Sequence, residues 1–388
     1  MENEDLDATP SEQHAGNLLL PRYVVAVLGV AGTLIALVLL REFAGIFAPI
    51  FLALNLVIAA YPIYSWLHSK GVPAWIAACV MTLAMVVILL IAVAGLVWAV
   101  NSLIDELPEF TEEYYEVYYS ALDLLRDFGI QTSGFTDIMS QANPSTIASV
   151  AASLLSQTWS VMGAMAIIVA ALVFFAMDTP GWDERTRFAG RTSRHVSEVF
   201  ASLGSGIRRY WLVSSLFGMI VAMLDGLALI ALDVPLVLVW VMLSFLTNYI
   251  PNIGFVVGLI PPALLALFAH GWQTSLEVVI AYCVLNFVVQ TIIQPRFTGD
   301  AVGVTASVSF ISLLLWGWVF GAMGALLALP MTLLVKAVLV DIDPGAKWVE
   351  ALISSNPGPD TKDQRRRAAL ERRRSRAKSR AAASASNG

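Results

Sequence analysis

The stretch NYIPNIGFVVGLIPPALLALF, Asn248 to Phe268, is apolar enough for a membrane helix, yet it contains residues that break helices. The breakers are three prolines and two glycines: Pro251, Pro261, Pro262, Gly254 and Gly258. Proline removes a backbone donor and disturbs the preceding turn, whereas glycine permits unusual torsions and close backbone approach. Irregular backbone at membrane depth is tolerated only inside protein or beside a water-filled cavity. The stretch therefore predicts a helix, a break and a second helix, which Pro261 and Pro262 would begin.

The composition around this stretch excludes a soluble enzyme. The chain has 388 residues, of which 58% are hydrophobic and 13% are charged, whereas soluble domains average about 25% charged residues. Too little polar surface is available to cover such a chain in water. We predict an all-α polytopic membrane protein.

Apolar runs predict about eight transmembrane segments, since a membrane helix needs about 20 mostly apolar residues. Five runs are separate and clear: Tyr23–Leu40, Ala44–Trp66, Ala74–Val100, Gln157–Met177 and Tyr210–Leu232. Three further stretches follow: Pro235–Phe268, Thr274–Gln294 and Val304–Val340. The first and third of these, at roughly 35 residues, exceed one ordinary span. Each either crosses once or folds back as a hairpin, and the pattern leaves both open.

Charged residues between the spans predict the orientation, because arginine and lysine favour the cytoplasmic side. Residues 178–209 hold six arginines against four acids, whereas residues 101–156 hold nine acids and one arginine. The predicted regions are an acidic cytoplasmic N-terminus (1–21), three spans (22–100), an acidic extracytoplasmic amphipathic region (101–156), a fourth span (157–177), a basic cytoplasmic amphipathic region (178–209), a C-terminal transport core (210–342) and a basic disordered cytoplasmic tail (343–388).

The tail concentrates positive charge, since residues 361–388 hold ten of the 23 lysines and arginines. Its composition cannot build a core, so we expect it to be disordered and dispensable for folding. A polybasic segment suits anionic lipid or nucleic acid. We expect a solvated tail with membrane lipid nearby and no nucleic-acid partner.

A second broken stretch lies near the C-terminal end of the apolar region. WGWVFGAMGALLALP places Gly317, Gly321 and Gly324 before Pro330. Two interrupted apolar stretches at related positions indicate a transporter binding site, although such glycines also allow tight helix packing. We predict a transport path at the two breaks, with polar contacts from Asn248 and Asn252 beside Pro251. Gly254 and Gly258 would then pack against Gly321 and Gly324.

Polar residues inside apolar segments complete the candidate site. Asn286, Gln290 and Gln294 recur every four residues on one helix face, and they either bind a polar solute or join helices by hydrogen bonds. Asp225 lies deep in an apolar run, where a carboxylate is costly. It is a candidate for proton or ion coupling, with a structural hydrogen bond as the alternative.

Motifs of enzymes are missing from the sequence. It has no Walker lysine motif, no HExxH, no Cys/His metal cluster and no nucleophile elbow. We expect neither enzymatic activity nor a bound cofactor or metal.

Four motifs in order, LDVPLVLVW, NYIPNIGFVVGLIPPALLAL, QPRFTGDAVGV and VFGAMGALLALP, resemble the autoinducer-2 exporter-like family of bacterial membrane transporters. The resemblance implies an all-helical transporter of the bacterial cytoplasmic membrane that exports small molecules such as the furanosyl quorum-sensing signal. It also implies a homo-oligomer, with a pentamer as one form, and sodium/proton antiport in some relatives.

Three functions therefore remain as hypotheses. The first is a secondary transporter that exports a small polar solute. The second is a cation/proton antiporter that uses Asp225. The third is a non-transporting membrane scaffold with a regulatory tail, which would have no need for costly backbone breaks.

Overall fold

The structure, a computed structural model, describes residues 21–128, 143, 145–146, 148–149, 152–153, 158–250, 253–294, 305–342, 349 and 353. The described residues form helices and no strands, which confirms the all-α prediction. The helices are α1 (Arg22–Glu42), α2 (Ala44–Ser69), α3 (Ala74–Glu106), α4 (Thr111–Asp127), α5 (Thr158–Asp178), α6 (Trp182–Thr192), α7 (Arg194–Ala231), α8 (Val237–Thr247), α9 (Gly254–His270), α10 (Trp272–Asn286), α11 (Ala306–Leu326) and α12 (Ala328–Lys336). A π-helical segment, Phe287–Ile293, continues α10, and another, Ala337–Asp341, continues α12.

Six helical stretches within the described ranges are long and apolar enough to cross a membrane. They correspond to α2, α3 with its continuation into α4, α5, α7, α10 with its π segment, and α11. Helix α1, with 21 residues, matches the predicted first run but is not one of these six. The apolar helices α8 and α9 are shorter. These elements agree with a polytopic membrane protein.

Helices α8 and α9 fold back on each other, and we name them hairpin 1. A Cβ atom built on Gly258 would lie 2.9 Å from the Thr247 hydroxyl and 3.5 Å from the Cα atom of Ser244. Residues 14 positions apart in one continuous helix would be separated by about 21 Å. Helix α8 has only 11 residues, about 16 Å in length, which is roughly half of a hydrocarbon core. The first long stretch is therefore a hairpin.

The second long stretch is also a hairpin, formed by α11 and α12, and we name it hairpin 2. Gly321 has φ 62° and ψ −140°, which interrupts α11. The Ser312 hydroxyl donates to the Ala328 carbonyl at 2.9 Å, and the Trp316 indole N–H donates to the Thr332 hydroxyl at 3.1 Å. A straight helix would place Ser312 and Ala328 about 24 Å apart, so the chain reverses near Gly321.

Helix α7 shows that the two hairpins approach from opposite directions. In hairpin 1, Ser244 bonds the Asp225 side chain of α7. Four residues later, Asn248 bonds the Ser214 carbonyl, which lies closer to the Arg194 end of α7. Hairpin 2 leaves α7 in the other direction: Leu333 lies against Gly206, and the Asp341 carbonyl lies 2.9 Å from Nε2 of His195. Hairpin 1 thus extends from the Ala231 end of α7 and hairpin 2 from its Arg194 end, and they meet in the middle.

One detail of the sequence prediction is wrong. Pro261 and Pro262 do not begin the second helix, because α9 already begins at Gly254 and contains both prolines. The residues before the prolines are held helical by their packing on α8, and membrane helices tolerate interior proline where neighbours satisfy the freed groups. Helix α7, one helix of 38 residues, continues across residues 209 and 210, where the sequence analysis divides the basic amphipathic region from the transport core.

The acidic helix α4 packs on the end of hairpin 1. The Tyr114 ring is buried and meets Phe268 edge-on, with 5.5 Å between ring centroids. Helix α4 lies within residues 101–156, for which the sequence predicts an amphipathic region. The predicted terminal regions, 1–21 and 343–388, lie almost entirely outside the described residues.

Candidate functional site

Amide side chains meet where the tip of hairpin 1 lies against α7. The Asn248 amide donates to the Ser214 carbonyl at 3.3 Å, and its oxygen accepts from Gln290 at 3.0 Å. Gln290 also donates to the oxygen of Asn286 at 2.9 Å. A Cβ atom on Gly218 would lie 2.7 Å from the Asn248 amide nitrogen, so glycine at that position admits the side chain. We name Asn248, Asn286 and Gln290 the amide cluster.

The backbone beneath the amide cluster is irregular. Gln290 lies in the π-helical segment, Phe287–Ile293. Such segments are rare and are frequently found at functional sites. Asn248 and Gln290 are partly exposed, whereas Asn286 is buried. The two partly exposed amides offer donors and acceptors that a polar molecule can use.

A buried carboxyl group lies on the Ala231 side of the amide cluster. Asp225 is fully buried, and the Ser244 hydroxyl donates to its Oδ2 at 2.6 Å. Asn286 faces the same carboxyl group, which connects it to the amide cluster. Oδ1 of Asp225 and the hydroxyl of Tyr282 are buried and have no hydrogen-bond partner among the described residues.

A hydroxyl group joins the two hairpins on the other side of the amide cluster. The Tyr210 hydroxyl lies 2.9 Å from the Tyr249 carbonyl at the tip of hairpin 1 and 3.3 Å from the Leu326 carbonyl in hairpin 2. Its single proton can serve only one of these acceptors at a time. The Tyr249 hydroxyl in turn pairs with Ser215 at 2.7 Å. Tyr210 is therefore a contact that both hairpins share.

The core spans anchor this contact. The Trp211 indole N–H donates to the side-chain oxygen of Asn55 at 3.3 Å. Asn55 is fully buried in α2 and donates to the Phe51 carbonyl at 2.8 Å. The tips of the hairpins thus rest on a polar connection to α2, inside an otherwise apolar environment.

The structure brings together only some of the predicted residues. Asn248, Asn286, Gln290 and Asp225 lie in one region. Gln294 is at the end of the π-helical segment and makes no hydrogen bond to the cluster among the described residues. Pro251 and Asn252 lie outside the described residues.

The predicted packing of glycines between the hairpins is wrong. A Cβ atom on Gly254 would overlap the carbonyl oxygen of Thr247, and one on Gly324 would overlap that of Trp316. Gly258 faces Ser244 within hairpin 1, and nothing described lies within 4 Å of a Cβ on Gly321. The glycines therefore close each hairpin on itself, because a tight reversal brings the two arms of one hairpin together.

Sequence reasoning missed the hydroxyl groups and one amide of the site: Tyr210, Ser214, Ser215, Ser244, Tyr249, Tyr282 and Asn55. Asn55 carried a signal, since it is an amide within the apolar run Ala44–Trp66. The serine and tyrosine residues gave little sequence signal, because both residue types are common in membrane helices. Only the fold shows that the helix faces that carry these hydroxyl groups pack against one another.

The chemistry available at the hairpin tips is hydrogen bonding. The groups at the hairpin tips are neutral amides and hydroxyls, with one carboxyl group nearby. Among the described residues no group of three or more His, Cys, Asp or Glu side chains is placed to hold a metal ion. The arrangement offers hydrogen-bond donors and acceptors to a polar molecule.

Comparison with known proteins places the chain in a family. The model of the AI-2E family transporter matches residues 23–342. The chain is 27% identical to the AI-2 transport protein TqsA of Escherichia coli (strain K12) over 316 residues, which is 81% of this chain and 91% of that protein. It is 26% identical to the "Putative transport protein YhhT" of the same organism over 350 residues, 90% of this chain and 98% of that protein. These matches confirm the resemblance, and the protein belongs to the AI-2E family of transporters.

Proposed function

We propose that the protein is a secondary transporter that exports a small polar solute past the tips of the two hairpins. The observation that carries this proposal is the meeting of two oppositely directed hairpins at Tyr210, beside the amide cluster. Broken helices near the bilayer midplane are typical of substrate sites in secondary transporters. The proposed contacts include Asn248 and Gln290, with Pro251 and Asn252 at the same break.

The chemistry of the site favours a neutral solute rich in hydroxyl groups. Amides donate and accept hydrogen bonds without adding charge, and the partly exposed Asn248 and Gln290 present such groups at the tip. TqsA is named for AI-2 transport, so the quorum-sensing signal AI-2 is the first solute to test. Its recognition by this chain is part of the proposal.

Alternating access would come from movement of the hairpins relative to the first spans. Hairpin 1 contacts α7 through hydrogen bonds from Ser244 and Asn248. A few such bonds, each contributing about 1 kcal/mol, can exchange during a transport cycle. Tyr210 would hold the tips together in the closed arrangement.

The proposed location is the bacterial cytoplasmic membrane with both termini in the cytoplasm. The charge distribution favours the cytoplasmic side for the Arg194 end of α7, so hairpin 2 would enter from the cytoplasm and hairpin 1 from outside. Assembly as a homo-oligomer, with a pentamer as one form, stays a prediction from the resemblance. Cysteine labelling of residues 248–258 from each side measures which face reaches the tip.

Flux in proteoliposomes tests the proposal. Asn248→Ala removes a polar group with little bulk, so we expect AI-2 flux to fall about tenfold while stability changes by about 1 kcal/mol, the range of one hydrogen bond. Asn101→Ala is the matched control, because Asn101 is exposed and its amide donates to Val97 of its own helix. The control should transport like the wild type.

The outcomes separate the three hypotheses. Solute flux that depends on Asn248 supports a solute transporter. Cation/proton exchange without any solute flux supports the antiporter instead. Absence of both solute and ion flux in well-folded protein supports the scaffold and overturns the proposal.

A further inference from the structure

Asp225 is the one carboxyl group among the described residues that is fully buried in the core of a membrane-spanning helix. Its Oδ2 accepts from Ser244, but its Oδ1 has no partner among the described residues. None of the ion pairs in the described ranges includes Asp225. An unpaired carboxylate is costly in such a place, so a proton or another cation has to balance its charge.

Oxygen atoms around Asp225 are placed to receive a cation. Tyr282 is 1% exposed, and its hydroxyl group faces Asp225 and has no hydrogen-bond partner in the described part of the chain. Asn286 faces the same carboxyl group. Hard cations bind carboxylate, carbonyl and hydroxyl oxygens rather than nitrogen or sulfur.

The backbone of hairpin 1 is irregular near Ser244. Pro262 has no N–H, so the carbonyl of Gly258 lacks the donor that an α-helix would supply four residues later. Gly258 packs directly against Ser244, the residue bonded to Asp225. Carbonyls at broken membrane helices coordinate sodium ions and protons in secondary transporters.

We propose that Asp225, Tyr282, Ser244 and Asn286 form a binding site for one monovalent cation, a sodium ion or a proton. The cation binds at Oδ1 of Asp225 and neutralises its charge. Tyr282 is the titratable group that faces Asp225.

The site is connected both to hairpin 1 and to the amide cluster. Ser244 belongs to α8, so the carboxyl group holds one arm of hairpin 1 against α7. Asn286 accepts from Gln290, which also bonds Asn248 at the tip. Cation occupancy at Asp225 therefore biases the position of hairpin 1 and, if the proposed function holds, the binding of solute.

The test measures cation binding to the purified full-length protein in detergent, without any solute. Radioactive sodium is titrated onto the wild type, with choline as the replacement cation at constant ionic strength. We expect saturable binding that Asp225→Asn weakens at least about tenfold, as loss of a charged ligand predicts. Tyr282→Phe removes only the unpartnered hydroxyl group and should weaken binding less.

Asp233→Asn is the matched control, because Asp233 has a side chain that is 98% exposed and lies eight positions from Asp225. Its φ of 55° suits asparagine. This variant should bind sodium like the wild type. Equal loss in Asp233→Asn and Asp225→Asn would show a general charge effect and would overturn the proposal.

Infrared spectroscopy distinguishes the two cations. If sodium does not bind, a protonated carboxyl band that is absent in Asp225→Asn assigns the site to a proton. Absence of this band together with absence of sodium binding overturns the proposal. Because no solute is present, failure of this site and failure of solute transport are measured separately.

Discussion

Hairpin 1 and hairpin 2 share a shape but differ in what surrounds their reversals. The tip of hairpin 1 bonds outward, from Asn248 to Ser214 and Gln290. Hairpin 2 bonds mainly within itself, from Ser312 and Trp316 to Ala328 and Thr332. The first therefore exposes its polar groups to neighbouring helices, whereas the second uses them to hold its own arms together. Similar breaks in a membrane protein need not have the same role.

The largest expected effect on stability tests the close approach of the two arms, which both hairpins share. Gly254→Ala and Gly324→Ala each place a methyl group on a backbone carbonyl oxygen, so each should lower the free energy of unfolding by about 3 kcal/mol or more. The measurement is thermal unfolding in detergent. Gly317→Ala is the control, since nothing described lies within 4 Å of its Cβ position. A stable Gly254→Ala protein would contradict the close approach in hairpin 1.

A smaller effect on stability is expected at Gly321, where hairpin 2 reverses through a residue with a positive φ. Gly321 has a positive φ, yet its Cβ position has open space. Gly321→Ala should therefore cost about 1–3 kcal/mol from torsional strain alone, less than Gly324→Ala three residues away. Thermal unfolding of the two variants side by side provides the comparison. Equal losses would mean that crowding rather than torsion controls the reversal.

The smallest stability effect concerns the residue that joins the hairpins. Tyr210→Phe removes one hydroxyl group and should cost about 1 kcal/mol of stability, measured by thermal unfolding. We expect a clear change in flux rate with little change in apparent solute affinity, because Tyr210 contacts backbone carbonyls of both hairpins. Ser205→Ala, which removes an exposed hydroxyl group from the same helix, is the control, because that hydroxyl bonds only the Ser202 carbonyl of its own turn. A change in affinity without a change in rate would place Tyr210 in solute binding.

The sequence predicted the spans well because the bilayer thickness fixes the length of an apolar helix. Proline and glycine also located the breaks, since their backbone chemistry is local. The reversal itself was not predictable: it depends on contacts such as Gly258 with Ser244, which the chain makes only after folding. The same reason explains why Pro261 and Pro262 were assigned to the wrong part of α9.

The polar site was predictable only where polarity was unusual for its surroundings. Asp225, Asn286, Gln290 and Asn248 stood out in apolar runs, and the structure brings them together. Tyr210 and Ser244 did not stand out, because a hydroxyl group in a membrane helix commonly bonds within its own turn. Their importance comes from which helix faces them, and that is a property of packing.

The helical repeat of α7 sets the length of any step by which hairpin 1 could move along it. Its backbone repeats every turn of about 5.4 Å, and it continues without a break for 38 residues past both hairpins. The Asn248 amide now bonds the Ser214 carbonyl beside Gly218. If hairpin 1 slides along this helix, the next equivalent partner lies one turn away, so intermediate positions lose a hydrogen bond and side-chain packing. Displacement would then occur as a discrete step of about one helical turn, like the ratchets between packed helices in other proteins.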